Sequence, residues 1–329
     1  MKIAVVILNW NGKQLLQQFL PSVVANSPEA DVYVVDNAST DVSVDYVTAH
    51  FPRVKIIVNV DNYGYAKGYN EALKKIDADV FCLLNSDVEV TPNWLTPIKH
   101  TFQKEPNTAI IQPKLLDYKN RTHFEYAGAA GGFIDTYGYP FCRGRIFNTI
   151  EEDRGQYDDT TNIFWASGAC LFIRNSVFKE LDGLDEAFFA HFEEIDLCWR
   201  AFNSGHDTKY VGTSTIYHVG GATLSNTNPK KTYLNFRNSL FAITKNAHGN
   251  LFLLIITRLL LDGAVAFKFL IEGKLSHILA ILRAHSSFYR HLPALLSQRR
   301  YSVQKRNYSH QKSIVWSYFV RKQKNYNSL

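Results

Sequence analysis

Residues 3–12 read IAVVILNWNG, six apolar residues (Ile3–Leu8) closed abruptly by Asn9, Trp10, Asn11 and Gly12. A run this short and this apolar, ended by turn-forming residues, predicts a strand buried on both faces. Three more such runs follow at Val32–Val35, Lys55–Val58 and Val80–Leu84, with helix-like stretches between them at Lys13–Ala25, Ser43–His50 and Lys67–Ile76. That alternation predicts an α/β fold with a mostly parallel sheet and helices on both faces. In such sheets ligands bind beyond the C-terminal ends of the strands. The polar residues collect there: Asn9-Trp10-Asn11 after the first run, Asp36-Asn37 after the second, Asn85-Ser86-Asp87 after the fourth. One nucleotide-sized site can draw on all three groups.

Further along, residues 113–157 are rich in glycine and aromatics without a clear period, which predicts irregular structure flanking an acceptor cleft. A strand is expected at Ala166–Ile173 and a helix through Glu194–Asn203, stopped by Gly205. A second strand, Thr208–Val211, then leads to Tyr217-His218.

The formal net charge of +6 is unevenly spread. Residues 226–329 hold 17 Lys and Arg against two acids, Asp262 and Glu272, a balance of +15; residues 1–225 balance at −9. An acidic body with a basic tail predicts an anionic partner for the tail. We therefore divide the chain into a body, 1–245, and a basic amphipathic helical extension, 246–329. Within the body, 1–112 is read as the nucleotide-binding half and 113–245 as the acceptor half.

From Leu251 the sequence LFLLIITRLLLDGAVAFKFLIEG is interrupted by Arg258, Asp262, Lys268 and Glu272, and falls short of the ~18–20 apolar residues a membrane span needs. At 100° per residue those charges share an arc of about 120°, leaving a broad apolar face. That face can pack on the chain's own domain or on a second copy in a homodimer. Alternatively it lies on an anionic membrane surface, with Arg299-Arg300, Lys305-Arg306 and Arg321-Lys322 meeting headgroups. The charge balance favours the membrane, and an apolar face suits lipid better than nucleic acid, so no nucleic-acid partner is expected. Cys82, Cys142, Cys170 and Cys198 form no C-x-x-C pair, and the opening apolar run has no small-residue cleavage site behind it. Together these place the protein in the cytoplasm, peripheral to the inner face of the membrane.

Seven segments stand in a recognisable order: VVILNWNG, VVDNASTD, NYGYAKGYN, LLNSDVEV, SGACLFIR, FFAHFEEIDLCWR and IYHVGG. Together they resemble family 2 glycosyltransferases of the GT-A fold, a Rossmann-like nucleotide-diphospho-sugar transferase architecture. The nearest subgroup in texture is the bacterial rhamnosyltransferase-like enzymes of surface-polysaccharide synthesis. The resemblance covers about residues 1–245, and the C-terminal helices also look like those of the subgroup.

The resemblance implies an inverting glycosyltransferase. It would move a sugar, rhamnose or a hexose, from a dTDP- or UDP-linked donor to a glycan or lipid-linked acceptor. Trp10 is implied to stack on the base and Asp36 to accept a hydrogen bond from a base N–H, although Asp36-Asn37 also suits a plain Asx turn. Asn62, Gly64 and Lys67 would approach the diphosphate at a helix N-terminus. Asn85 stands where the family's D-x-D metal motif has its first carboxylate, leaving Asp87 as that motif's one acidic ligand. With His218 it would hold Mn²⁺ or Mg²⁺ on the diphosphate. Glu194 maps to the general base; Glu193, one helical step away, and Asp196 would meet the acceptor. Asp196 and Arg200 are also spaced for an i,i+4 salt bridge.

Two rivals remain on the sequence. A nucleotidyltransferase would need several basic residues in the first loop, and LNWNGKQ has only Lys13. A catalytically degenerate transferase serving as an assembly scaffold would fit Asn85 but not an intact Glu193-Glu194 pair. A nicotinamide dehydrogenase is a weaker reading still, because no G-x-G-x-x-G follows the first strand.

Overall fold

The first strand, β1 (Ile3–Asn9), has all of Ile3–Ile7 buried, as a strand covered on both faces must. α1 (Lys13–Asn26), β2 (Asp31–Asp36), α2 (Ser43–His50), β3 (Lys55–Val58), α3 (Gly64–Leu73) and β4 (Val80–Asn85) continue the alternation. β1 lies between β2 and β4, parallel to both, with Asn9 opposite Asp36 and Leu8 opposite Asn85. α3 starts at Gly64 rather than Lys67, because Asn62 Oδ1 accepts from the Gly64 N–H at 3.1 Å and Gly64 takes a φ of 70°. It stops at Leu73 because Lys75 and Ile76 bond back only three residues, in tighter turns.

β5 (Val88–Val90), α4 (Leu95–Lys104) and β6 (Thr108–Asp117) follow. The expectation of irregular structure from residue 113 onward is overturned here. β6 runs to Asp117, and β7 (Gly132–Ile134), β8 (Pro140–Cys142), β9 (Arg145–Ile146) and β10 (Thr149–Ile150) build a separate four-stranded antiparallel sheet. Strands of two or three residues are too short to show alternation. At Gly132 an added Cβ would lie 2.0 Å from the Trp165 ring, and the same indole donates to Phe133 O at 2.8 Å.

β11 (Thr160–Ile163), β12 (Cys170–Arg174), α5 (Asn175–Glu180), α6 (Glu193–Asn203) and β13 (Asp207–His218) complete the large sheet. β12 begins at Cys170, not Ala166; Ser167–Ala169 form a turn in which Ser167 N donates to Gln112 Oε1. β13 continues well past Val211, with a register irregularity before Thr215 that bends it. α6 ends as expected at Gly205, in a left-handed conformation (φ 91°), with Gly205 N bonding Phe202 O and His206 N bonding Ala201 O.

The sheet order is β11-β13-β6-β12-β4-β1-β2-β3, with β5 alongside β13. β1, β2, β3, β4, β6 and β13 run one way; β5, β11 and β12 oppose them. The architecture is therefore mixed α/β with a mostly parallel sheet. α1 and α4 cover one face, around Leu20, Trp94 and Phe102; α3, α5 and α6 cover the other, around Tyr69, Phe178 and Trp199. One consequence positions everything that follows: Asn9, Asp36, Asn85, Asp117 and His218 all end strands on the same edge.

The C-terminal region is helical: α7 (Pro229–Asn246), α8 (Leu251–Ile271), α9 (Leu275–Ser297) and the short α10 (Ile314–Phe319). Asn228 and Asn250 cap α7 and α8, accepting from Lys230 N and Leu253 N. The structure is a computed structural model describing residues 1–220, 228–299 and 307–329. Among them no helix is long and apolar enough to cross a membrane. The end of the chain folds back onto the small sheet, where Ile314 N donates to buried Asp135 and Tyr326 N to Glu151.

One expectation about the extension changes. Arg299 does not face outward as a lipid-binding cation, since its guanidinium donates to the carbonyls of Thr244 and Ala247 at the end of α7. Arg300, Lys305 and Arg306 lie outside the described residues. Of the four charges grouped on one arc of α8, Arg258 and Asp262 are buried.

Candidate active site

The strand-end polar residues form one hydrogen-bonded network. Asn9 donates through Nδ2 to Asp36 Oδ1 and to Ser43 Oγ, each at 3.0 Å. Asp36 Oδ2 accepts from Ser39 N at 2.9 Å, the Asx turn that the sequence allowed. Asp36 is buried at 2% exposure and each carboxylate oxygen retains a further lone pair. Trp10, next to it on the edge, is 57% exposed, an open aromatic face beside buried polar groups. Asn37 Nδ2 links this group to α3 by donating to Gly64 O at 2.9 Å. Asn62 spends its Oδ1 on capping Gly64, and Lys67 lies 4.3 Å from the Tyr63 ring centroid in a cation–π contact. Asn70 clamps Leu184 through both its amide nitrogen and its oxygen, a structural role.

Asp87 and His218 meet at the other end of the edge. β13 pairs with β5 so that His218 sits opposite Val88, bringing its Nε2 to 3.1 Å from Asp87 Oδ1. A third residue, which the sequence reading missed, completes the group: Glu125 Oε1 lies 3.3 Å from His218 Nδ1. All three side chains are buried. Burial alone would lower the His218 pKa, yet its bonds to Asp87 and Glu125 carry it up to about 10. For Asp87 burial likewise opposes, and the His218 bond wins, so its pKa falls. A side chain on Gly220 (φ 67°) would come within 3.0 Å of Glu125 Oε1, so glycine is needed where the chain leaves His218.

Among the described residues, no group of three or more His, Cys, Asp or Glu side chains is arranged to hold a metal ion. In this geometry Asp87 and His218 face each other. With its pKa at about 10, His218 is protonated and ion-paired with Asp87, so it could ligate a cation only after giving up its proton; the two would then offer one oxygen and one nitrogen donor. Asn85 is half-buried between Asp87 and the Ser167–Ala169 turn, donating from its backbone to Ala169 O at 3.0 Å.

That turn carries the site across to α6. Tyr65 donates its hydroxyl to Gly168 O at 2.8 Å. A Cβ on Gly168 would lie 3.1 Å from the Tyr65 hydroxyl and 3.9 Å from the Glu194 carboxyl carbon, so the glycine keeps open the space between them. Glu193 is buried at 6% exposure while Glu194 stays partly open, and each has one oxygen, Oε2, buried without a hydrogen-bond partner. Burial raises the Glu194 pKa to about 7; burial and the neighbouring Glu194 push Glu193 well above the carboxylate range. The three acids of the first turn, Glu193, Glu194 and Asp196, sit where a helix macrodipole favours negative charge.

Asp196 is a correction. It is fully buried, and its carboxylate is taken by Arg200 Nε at 2.7 Å, Lys245 Nζ at 2.9 Å and Asn246 Nδ2 at 2.8 Å. Its pKa drops to about 2 because the Lys245 and Arg200 charges outweigh burial. It fastens α6 to α7 and is closed to an acceptor.

The loop entering α6 is strained: Phe189, His191 and Phe192 all adopt left-handed φ, at 64°, 68° and 74°. Asn238 of α7, fully buried, holds it by donating Nδ2 to the carbonyls of Phe188, Ala190 and His191 at 2.9, 2.9 and 2.6 Å. Neither Asn238 nor Glu125 gave a sequence signal, because each acts on a segment distant in the chain.

One strand edge thus gathers an open aromatic, a buried carboxylate, an Asp–His pair and an acidic helix start. The model of glycosyl transferase family 2 matches residues 4–182, and the chain belongs to that family. It is rhamnosyltransferase-like. The N-acetylglucosaminyl-diphospho-decaprenol L-rhamnosyltransferase of Mycobacterium tuberculosis is 24% identical over 235 residues, 66% of this chain and 75% of the relative. Among solved structures, GalNAc-T7 with UDP, GalNAc and Mn²⁺ superposes with a TM-score of 0.59 at 17% identity, covering 74% of this chain and 48% of that one. S. aureus TarS 1-349 in complex with UDP-GlcNAc gives 0.57 at 16% identity, covering 91% and 84%. As a member of this family the protein is a glycosyltransferase.

Proposed function

We propose that the protein transfers rhamnose or a hexose from a dTDP- or UDP-linked donor by single displacement, inverting the anomeric configuration. The observation that carries this reading is Glu194. A partly open carboxylate at a helix start, with a pKa lifted to about 7 and an oxygen lacking a partner, suits a general base at neutral pH. It takes the acceptor hydroxyl proton as that oxygen attacks the anomeric carbon and the nucleoside diphosphate leaves. Glu193 orients the acceptor.

Trp10 stacks on the base, and Asp36 accepts from a base N–H through its remaining lone pairs. Asn62, Gly64, Lys67 and Asn85 line the ribose and diphosphate side. Asp87 and His218 hold Mn²⁺ or Mg²⁺, with Glu125 orienting the imidazole from behind. Such a cation neutralises charge on the departing diphosphate. The rhamnosyltransferase relative supports a lipid-diphosphate-linked acceptor, and GalNAc-T7 supports Mn²⁺. All four cysteines are free and buried, which supports a reducing, cytoplasmic setting.

A scaffold role draws on Asn85 alone. Thermal-shift titration with dTDP and UDP, with and without Mn²⁺, separates the two. A donor nucleotide bound with cation help raises Tm by mass action; no shift with either nucleotide contradicts the transferase reading.

A further inference from the structure

α8 packs onto the body by its charged edge. Arg258 Nε meets Asp262 Oδ1 at 2.8 Å, and both side chains are buried. Arg258 also donates to Tyr137 O and Ser239 Oγ and lies over the Tyr139 ring, while His285 of α9 reaches Asp262 Oδ2 at 3.2 Å. With Arg258 and Asp262 turned inward, the helix presents its apolar stripe to the outside. Leu253, Ile256, Leu260, Phe267 and Ile271 recur at helical spacing and are all exposed, Leu260 at 71% and Phe267 at 64%.

α9 returns beside α8 and extends the same surface with residues such as Leu275, Leu279 and Leu282. Of the 23 large apolar side chains exposed among the described residues, twelve lie on these two helices, so the patch is a concentration and not scatter. Exposed Lys268, Lys274, Arg283 and Arg290 flank it, and α9 contains no acid. The one carboxylate on the rim, Glu272, is engaged by Lys274 at 2.7 Å. A second copy set against this face would bring cationic rims together with no free carboxylate to answer them. A lipid surface with anionic headgroups answers both the apolar centre and the rim.

We infer that the joined outer faces of α8 and α9 form an in-plane docking surface for an anionic membrane monolayer. Leu260 and Phe267 enter the acyl boundary, and Lys268, Arg283 and Arg290 stand among the headgroups. The inference rests on packing and charge, independently of the transfer reaction, and its readout requires no turnover.

Flotation of the full chain with vesicles of phosphatidylcholine, or of phosphatidylcholine with phosphatidylglycerol, tests it. Binding is expected at low salt, stronger with phosphatidylglycerol and weakened by salt. L260E/F267E should bind about tenfold or more weakly while keeping its melting temperature, because both side chains point away from the fold. R283Q/R290Q should lose the preference for phosphatidylglycerol. Failure of the intact chain to float with either vesicle at low salt, or unchanged binding by L260E/F267E, overturns the inference. So does a solution dimer that L260E/F267E dissolves in a chain that ignores vesicles, which assigns the face to a second copy.

Discussion

His218 and Asp87 meet at 3.1 Å where β13 runs antiparallel to β5, and the contact joins two motifs far apart in the chain. Glu125 Oε1 lies 3.3 Å from the other imidazole nitrogen, and the ring presents Nε2 toward Asp87.

Cation binding should therefore depend on all three residues, unequally. Asp87→Ala is expected to abolish tight Mn²⁺ binding. Glu125→Gln should weaken it about 10–100-fold, as loss of an orienting partner does. Mn²⁺ titration followed by electron paramagnetic resonance, with UDP or dTDP present, gives both values. Unchanged affinity in Glu125→Gln would leave that residue only a structural role.

Nucleotide affinity should fall with Trp10→Ala and Asp36→Ala by about 1–3 kcal/mol each. Trp10 is exposed, so its removal should leave Tm unchanged. Asp36→Ala leaves Asn9 bonded to Ser43, so the fold should survive. Titration calorimetry checks both; full affinity in Asp36→Ala would confine that residue to its Asx turn.

Much of the fold is written locally. IAVVIL closed by Asn9, and the Glu194–Asn203 helix stopped at Gly205, are visible because hydrophobic period and turn chemistry act over a few residues. The strand-end polar groups were legible for the same reason. Glu125 and Asn238 were not, since their partners are made by topology. The direction in which α8 faces was also hidden. Periodicity shows that a helix has two faces, and only tertiary packing shows that Arg258 and Asp262 are the inner one.

Asn238→Ala should release the strained loop from Phe189 to Phe192. Ala190 O and His191 O would lose this donor, while Phe188 O keeps Arg237 and the Ala190 N–H; the loss is expected to cost about 1–3 kcal/mol of stability. It should also lower kcat more than it changes nucleotide affinity, because the loop leads directly into Glu193 and Glu194. Calorimetry and steady-state kinetics separate the two effects; an unchanged kcat would show that the clamp serves stability alone.

Asp196 should govern acid stability. Its folded pKa, near 2, lies below the ordinary 3.8, so its contribution is fully present above that ordinary value and is lost as pH falls toward 2. Asp196→Asn removes the charge shared by Lys245 and Arg200, leaving Lys245 with Asp185 and Arg200 with the carbonyls of Leu181 and Gly183, and is expected to cost about 1–3 kcal/mol at neutral pH. The gap from wild type should close in acid. A gap that does not change with pH would contradict the ion-pair account.

Glu194 carries the opposite sign. Its pKa is raised from 4.5 to about 7, so stability declines as pH climbs through that window and the loss is complete above it. Glu194→Gln cannot ionise and should be more stable than wild type above pH 7, by on the order of 1–3 kcal/mol, and no more stable near pH 4.

The kinetics of the same variant test the mechanism most directly. Wild-type kcat, measured against pH with product configuration read by NMR, should rise to a plateau above about 7 and yield inverted product. Glu194→Gln should lose about 10²–10⁴-fold in kcat while nucleotide affinity stays at the wild-type value. A Glu194→Gln enzyme with near wild-type kcat, or a product that retains the donor's configuration, contradicts single displacement with Glu194 as the base.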